Sequence, residues 1–123
     1  MNQKRGAGIM HTVLLVLQSE DFRLILQDTL KDRYRVLSAK NAKEGTALLL
    51  HRPNILLLDL FLSGTDGITF LEQNRPLLPS SILLFTSLVD PVILNAASEL
   101  GVNVVFLKPC SLTSVRNWVD TQA

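Results

Sequence analysis

The chain has 123 residues, 47% of them apolar and 19% charged, with 12 basic against 11 acidic side chains and a formal net charge of +1. That length makes a single domain. One cysteine excludes a disulfide framework and any CxxC metal or redox site, and so even a charge balance gives no field that would favour nucleic acid. No apolar run approaches the ~18 residues of a membrane span, and Met1 to Gly8 lacks the apolar stretch of a secretory leader. The expectation is a cytoplasmic protein with neither membrane nor nucleic acid as direct partner: a flexible tail over residues 1–11, then one domain over 12–121.

The elements follow in chain order. Val13-Leu-Leu-Val-Leu17 is the first apolar block, and Phe22, Ile25, Leu26, Thr29 and Leu30 then recur with helical spacing behind Ser19, Glu20 and Asp21. Val36-Leu37 is a second, shorter block. Asn41 caps a helix carrying Ala42, Leu49 and Leu50 that stops before Pro53. Ile55 to Leu58 is the third block, and the helix after it runs from Gly67 to Asn74. Ile82 to Phe85 is the fourth, followed by a helix that Asp90-Pro91 opens and Gly101 closes. Val104 to Leu107 is the fifth, followed by a helix capped by Ser111 with Leu112, Val115 and Val119.

Continuous apolar blocks without alternation are strands covered on both faces. Strands separated by helices mean right-handed crossovers and a parallel sheet. The predicted fold class is α/β, a flavodoxin-like doubly wound (βα)5 domain with a five-stranded parallel sheet in the order 2-1-3-4-5. Ligands of such sheets sit at the carboxyl ends of the strands. Those ends carry Leu17-Gln18-Ser19, Asp59, Thr86-Ser87 and Lys108. Asp59 is an acid inside apolar sequence, which is costly unless it is paired, and Lys108 is its natural partner. The bland reading is a buried ion pair. The sharper one is a carboxylate nucleophile that takes a phosphoryl group, with Lys108 and the Thr86 hydroxyl on its oxygens. The turn Gly64-Thr-Asp-Gly67 lacks a phosphate-loop pattern, so a dinucleotide enzyme is not expected.

These residues resemble the receiver domain of bacterial response regulators, over roughly Thr12 to Val119. The segment Ile55-Leu-Leu-Leu-Asp59-Leu-Phe-Leu-Ser-Gly64-Thr-Asp-Gly67 is similar to the family's phosphorylation strand and turn. Phe85-Thr86-Ser87 resembles its switch motif, and Gly101 with Phe106-Leu107-Lys108-Pro109 resembles its fifth-strand end, where the Lys–Pro bond is usually cis. The resemblance implies Asp59 as phosphoacceptor, Thr86 as switch hydroxyl and Lys108 as phosphate-binding lysine. It also implies a signalling module that is not an enzyme, with a histidine kinase or phosphotransfer protein as partner. An output domain belongs to the picture if the protein is longer. The face of fourth helix, fifth strand and fifth helix would serve as output or homodimer surface, with Val92 or Leu94 left outward.

The sequence departs from the family's pattern in three places. The family's acidic pair at the end of the first strand falls on Leu17 and Gln18. That leaves a degenerate Mg²⁺ site of Asp59, Gln18 and the Phe61 backbone carbonyl, for a cation that needs carboxylates. The aromatic switch position falls on Val105, and the proline before the turn is Ser63. Asp59 and Lys108 alone are neutral, and a further negative charge about 4 Å away costs about 4 kcal/mol at an effective dielectric near 20. Weak or absent Mg²⁺-dependent phosphorylation is therefore expected. The alternative is a degenerate receiver that works as a phosphorylation-independent interaction or dimerisation module. Glu20 and Asp21 are read as helix-start charges, Cys110 as a half-buried structural thiol, Trp118 as packing, and His11 and His51 as without metal roles.

Overall fold

The computed structural model describes residues 10–123. Most of the predicted tail thus lies outside the described residues, and Met10 and His11 at the entry to the domain are exposed. The main strands are β1 (Thr12–Val16), β2 (Arg35–Ala39), β3 (Ile55–Asp59), β4 (Ser81–Thr86) and β5 (Val104–Leu107). They alternate with α1 (Glu20–Leu30), α2 (Ala42–Leu49), α3 (Gly67–Gln73), α4 (Pro91–Glu99) and α5 (Leu112–Gln122). The five strands are parallel and lie in the order β2-β1-β3-β4-β5, as the sequence predicts.

Alternation along the strands divides the core between the two faces of the sheet. Leu14, Val16, Leu56, Leu58 and Leu84 pack with α2, α3 and α4. Val13, Leu15, Leu57, Leu83 and Phe85 pack with α1 and α5. Burial on both faces is why β1 and β3 contain no exposed position. Each fully buried leucine or valine contributes roughly 1.5–3 kcal/mol relative to exposure.

Four predicted caps are made. Ser19, Asn41, Asp90 and Ser111 accept the amide hydrogens of Phe22, Glu44, Val92 and Ser114. Gly101, at φ +96°, takes the left-handed turn after α4.

Several local expectations need correction. Ile25, assigned to the buried face of α1, is 47% exposed. The line of Phe22, Leu26 and Leu30 one turn apart already fills the contact with the sheet. Leu50 is exposed because α2 ends at Leu49 and Arg52 turns the chain through a left-handed φ of 54°. The third helix stops at Gln73 and a 3-10 turn follows over Arg75–Leu77. The Gly64 turn closes a small antiparallel ribbon of Phe61–Leu62 and Thr65–Asp66.

Candidate functional site

The parallel register brings the strand ends together. Asp59 on β3 is opposite Phe85 on β4, and Phe85 is opposite Phe106 on β5. Thr86 and Lys108 therefore stand just beyond Asp59, and the Lys108 amide donates to the Thr86 carbonyl at 2.9 Å.

The Asp59 side chain is almost wholly enclosed and is held from two directions. Oδ1 meets Lys108 Nζ at 2.7 Å as an ion pair rather than a directed hydrogen bond, and Oδ2 accepts the Gln18 amide hydrogen at 2.9 Å. The Lys108 ammonium lies 5.3 Å from the centroid of the Phe22 ring, in cation–π range. Below it a file of rings runs from Phe22 to Phe85 to Phe106, with edge-to-face contacts at 5.1 and 6.3 Å. The Lys108–Pro109 peptide is cis.

Thr86 is buried at the same edge, but its hydroxyl is occupied locally. Oγ1 accepts the Leu88 amide hydrogen at 3.0 Å and donates to the Leu88 carbonyl at 3.3 Å. The hydroxyl thus ties the β4–α4 turn and does not contact Asp59. On the other flank, the Gly67 amide donates to the Leu60 carbonyl at 2.6 Å, and a Cβ at Gly67 would lie 2.6 Å from the Asp59 carbonyl oxygen. Only glycine allows that approach. Asp66, a cap the sequence did not announce, starts α3 by accepting the Thr69 amide hydrogen at 2.8 Å.

The remaining candidates are spread out. Leu17 is buried in the α1–α5 core, Gln18 is exposed and engages Asp59 through its backbone, and Phe61 is exposed. Glu20 and Asp21 sit exposed in the first turn of α1. Val105 packs on the α4 side of the sheet. Val92 is 77% exposed, and Leu94 is only half-buried. Cys110 lines an apolar groove of about 460 Å³ with Phe22, Ile25, Lys108, Pro109 and Leu112. Burial pushes its thiol up, against the opposing effect of Lys108. Among the described residues no three His, Cys, Asp or Glu side chains cluster as metal ligands.

One residue at this edge was not singled out from sequence. Arg23 reaches back from α1, and its Nη1 donates to the Leu17 carbonyl at 2.7 Å and the Gln18 carbonyl at 3.1 Å. Its place one turn into the helix, five residues after Gln18, was the available signal. An arginine there reads equally well as a solvated helix residue.

The chain is a doubly wound parallel domain with an acid, a hydroxyl and a lysine on one carboxyl edge. The family model described as response regulator receiver domain matches residues 13–120, and the chain belongs to that family. It is thus a receiver domain of two-component signal transduction, a class that works with histidine kinases or phosphotransfer proteins and with output domains. It is similar to the hydrogenase transcriptional regulatory protein HoxA of Cupriavidus necator, 32% identical over 90% of this chain and 24% of that protein. It is also similar to sporulation initiation phosphotransferase F of Bacillus subtilis, 24% identical over 87% of this chain and 89% of the relative. The chain therefore spans about a quarter of HoxA and most of phosphotransferase F. In structure it resembles Vibrio cholerae chemotaxis protein CheY4, with a TM-score of 0.84 at 22% identity over 94% of this chain and 100% of that one. A CheY-like receiver of Methanospirillum hungatei gives 0.85 at 20% identity, covering 93% and 94%. Among the described residues no helix is long and apolar enough to cross a membrane.

Proposed function

We propose that this receiver accepts a phosphoryl group on Asp59 from a histidine kinase or phosphotransfer protein, with little or no help from Mg²⁺. The observation that carries the reading is the enclosed Asp59 carboxylate, paired with Lys108 at 2.7 Å on the edge where Thr86 also ends its strand. In the step, a carboxylate oxygen attacks the phosphorus of a phosphohistidine. The P–O bond forms as the P–N bond breaks, and the leaving imidazole takes a proton from solvent. Lys108 offsets the charge gathering on the phosphoryl oxygens, and Thr86 would have to release Leu88 to donate to one.

The donors at this edge do not suit a hard divalent cation, which takes several oxygen ligands. Leu17 supplies no side-chain oxygen and Gln18 directs an N–H at Asp59. The carboxylate is already neutralised, and Arg23 occupies both carbonyls at the end of β1. We therefore read the receiver as atypical, lacking the acidic pair, and route no step through metal.

A second reading is favoured by Val105, which has no ring to flip, and by the outward Val92: an interaction module that signals without phosphate. In both readings α4, β5 and α5 form the output or dimer face, with Val92 and Leu107 exposed on it. Incubation with acetyl phosphate or a phosphohistidine donor, followed by intact mass measurement, tests the first reading. It requires a phosphate-sized gain that is lost in Asp59→Asn. Absence of any gain from both donors leaves the second.

A further inference from the structure

Two contacts meet on a single peptide group. Arg23 Nη1 donates to the Leu17 carbonyl at 2.7 Å, and the amide hydrogen across that peptide, on Gln18, donates to Asp59 Oδ2 at 2.9 Å. The guanidinium also holds the Gln18 carbonyl at 3.1 Å. A cation on the oxygen of a peptide polarises the group and strengthens its N–H as a donor to an acceptor beyond. The positive charge of Arg23 is thereby felt at the second oxygen of the Asp59 carboxylate, while Lys108 holds the first.

We propose that Arg23 is the resident cation of this edge, a positioning residue that acts through the Leu17–Gln18 peptide so that an oxyanion is held on Asp59 without a divalent ion. The inference rests on Asp59 as the phosphoryl acceptor. Counting Asp59 and Lys108 alone leaves no charge to meet an added phosphoryl group. Asp59, Lys108 and Arg23 together carry one net positive charge before modification, and an aspartyl phosphate brings about one additional negative charge, which returns these three groups to near neutrality. Both hydrogen bonds that Arg23 makes among the described residues use Nη1, so its other nitrogens are available as donors. A permanently charged guanidinium suits this role better than a titrating group.

The test uses fluoroberyllate, a phosphoryl mimic, on the whole chain, followed by fluorine NMR in EDTA and in Mg²⁺. Wild type is expected to bind with affinities within about twofold of each other in the two conditions. Arg23→Gln is expected to bind about tenfold or more weakly, and Arg23→Lys to recover much of the loss, because a point charge restores the field without the fork geometry. Thermal melts of both variants separate this from unfolding. Wild-type binding that requires Mg²⁺, or folded Arg23→Gln that binds as wild type, overturns the role of Arg23 and leaves Asp59 as acceptor. Failure of wild type to take fluoroberyllate or a phosphoryl group in either condition overturns the acceptor reading, and this inference with it.

Discussion

Asp59 and Lys108 form an unequal pair: the side chain of the acid is 3% exposed and that of the base 34%. Losing the lysine strands a buried carboxylate with one amide donor. Losing the acid leaves an ammonium that water can reach. Lys108→Met is expected to destabilise the domain by about 1–3 kcal/mol, below the cost of breaking a fully buried pair because water can enter beside the lysine. Adding Asp59→Asn should recover part of that loss. Urea denaturation of the two singles and the double variant measures the coupling, and strict additivity would show that the pair contributes nothing.

Gly67 sits against the backbone of Asp59. A Cβ there meets the Asp59 carbonyl oxygen at 2.6 Å and Leu60 Cα at 3.2 Å, both backbone atoms that cannot step aside. Gly67→Ala should displace the β3–α3 turn, cost about 1–3 kcal/mol, and, on the proposed acceptor role of Asp59, reduce its phosphoryl uptake. Gly64→Ala serves as contrast: its Cβ meets nothing within 4 Å, and only its φ of +79° is strained. A Gly67→Ala protein as stable and reactive as wild type would contradict the packing.

Far from the site, the Tyr34 hydroxyl donates to Asp120, which Arg33 and Arg116 also approach at 3.3 and 3.9 Å. Burial first, then Asp120, pushes the Tyr34 hydroxyl up from 10.0 to about 12, against the two arginines. Because the folded value lies above the unfolded one, this contribution is complete below about pH 10 and is lost as pH rises from about 10 to 12. Tyr34→Phe should lose about 1 kcal/mol at neutral pH and show a smaller decline over that window. Chemical denaturation at pH 8, 10 and 11 compares the two.

Leu17→Asp with Gln18→Asp should raise Mg²⁺ affinity by adding two carboxylates to the end of β1, at a cost in stability because Leu17 is fully buried in the α1–α5 core. Isothermal titration of Mg²⁺ reads the change. An unchanged titration curve would mean that the end of β1 is not the metal edge.

Burial of Cys110 should make it a sluggish thiol. Maleimide labelling of the native protein near neutral pH is expected to be slower than in urea, and the rate should climb at alkaline pH, where the raised thiol ionises. Equal rates in the native and unfolded protein would refute this.

What could be read from the chain depended on how local the cause was. Uninterrupted runs such as Val13–Leu17 and Ile55–Leu58 announced strands covered on both faces. Ser19, Asn41, Asp90 and Ser111 announced helix starts through one-turn hydrogen bonds. Asp59 and Lys108 could be paired because strand order brings their ends together and a buried acid needs a partner. The exposure of Ile25 was hidden, since it depends on how far α1 rolls over the sheet. The occupation of the Thr86 hydroxyl by Leu88 depends on a turn whose path no periodicity encodes. Arg23 was hidden for a related reason: its carbonyl partners are close in sequence, but only the folded β1–α1 corner turns the side chain back toward them.

The file of rings beneath Lys108 limits how the lysine can respond to an incoming anion. Phe22, Phe85 and Phe106 come from α1, β4 and β5 and brace one another edge to face, so the ring that faces the lysine ammonium is itself fixed by two strands. Lys108 therefore sits on a rigid mount, its ammonium held between the Asp59 carboxylate and the face of a ring that two further elements fix. The β4–α4 turn has no such mount: at its start a single hydroxyl, that of Thr86, holds both backbone groups of Leu88.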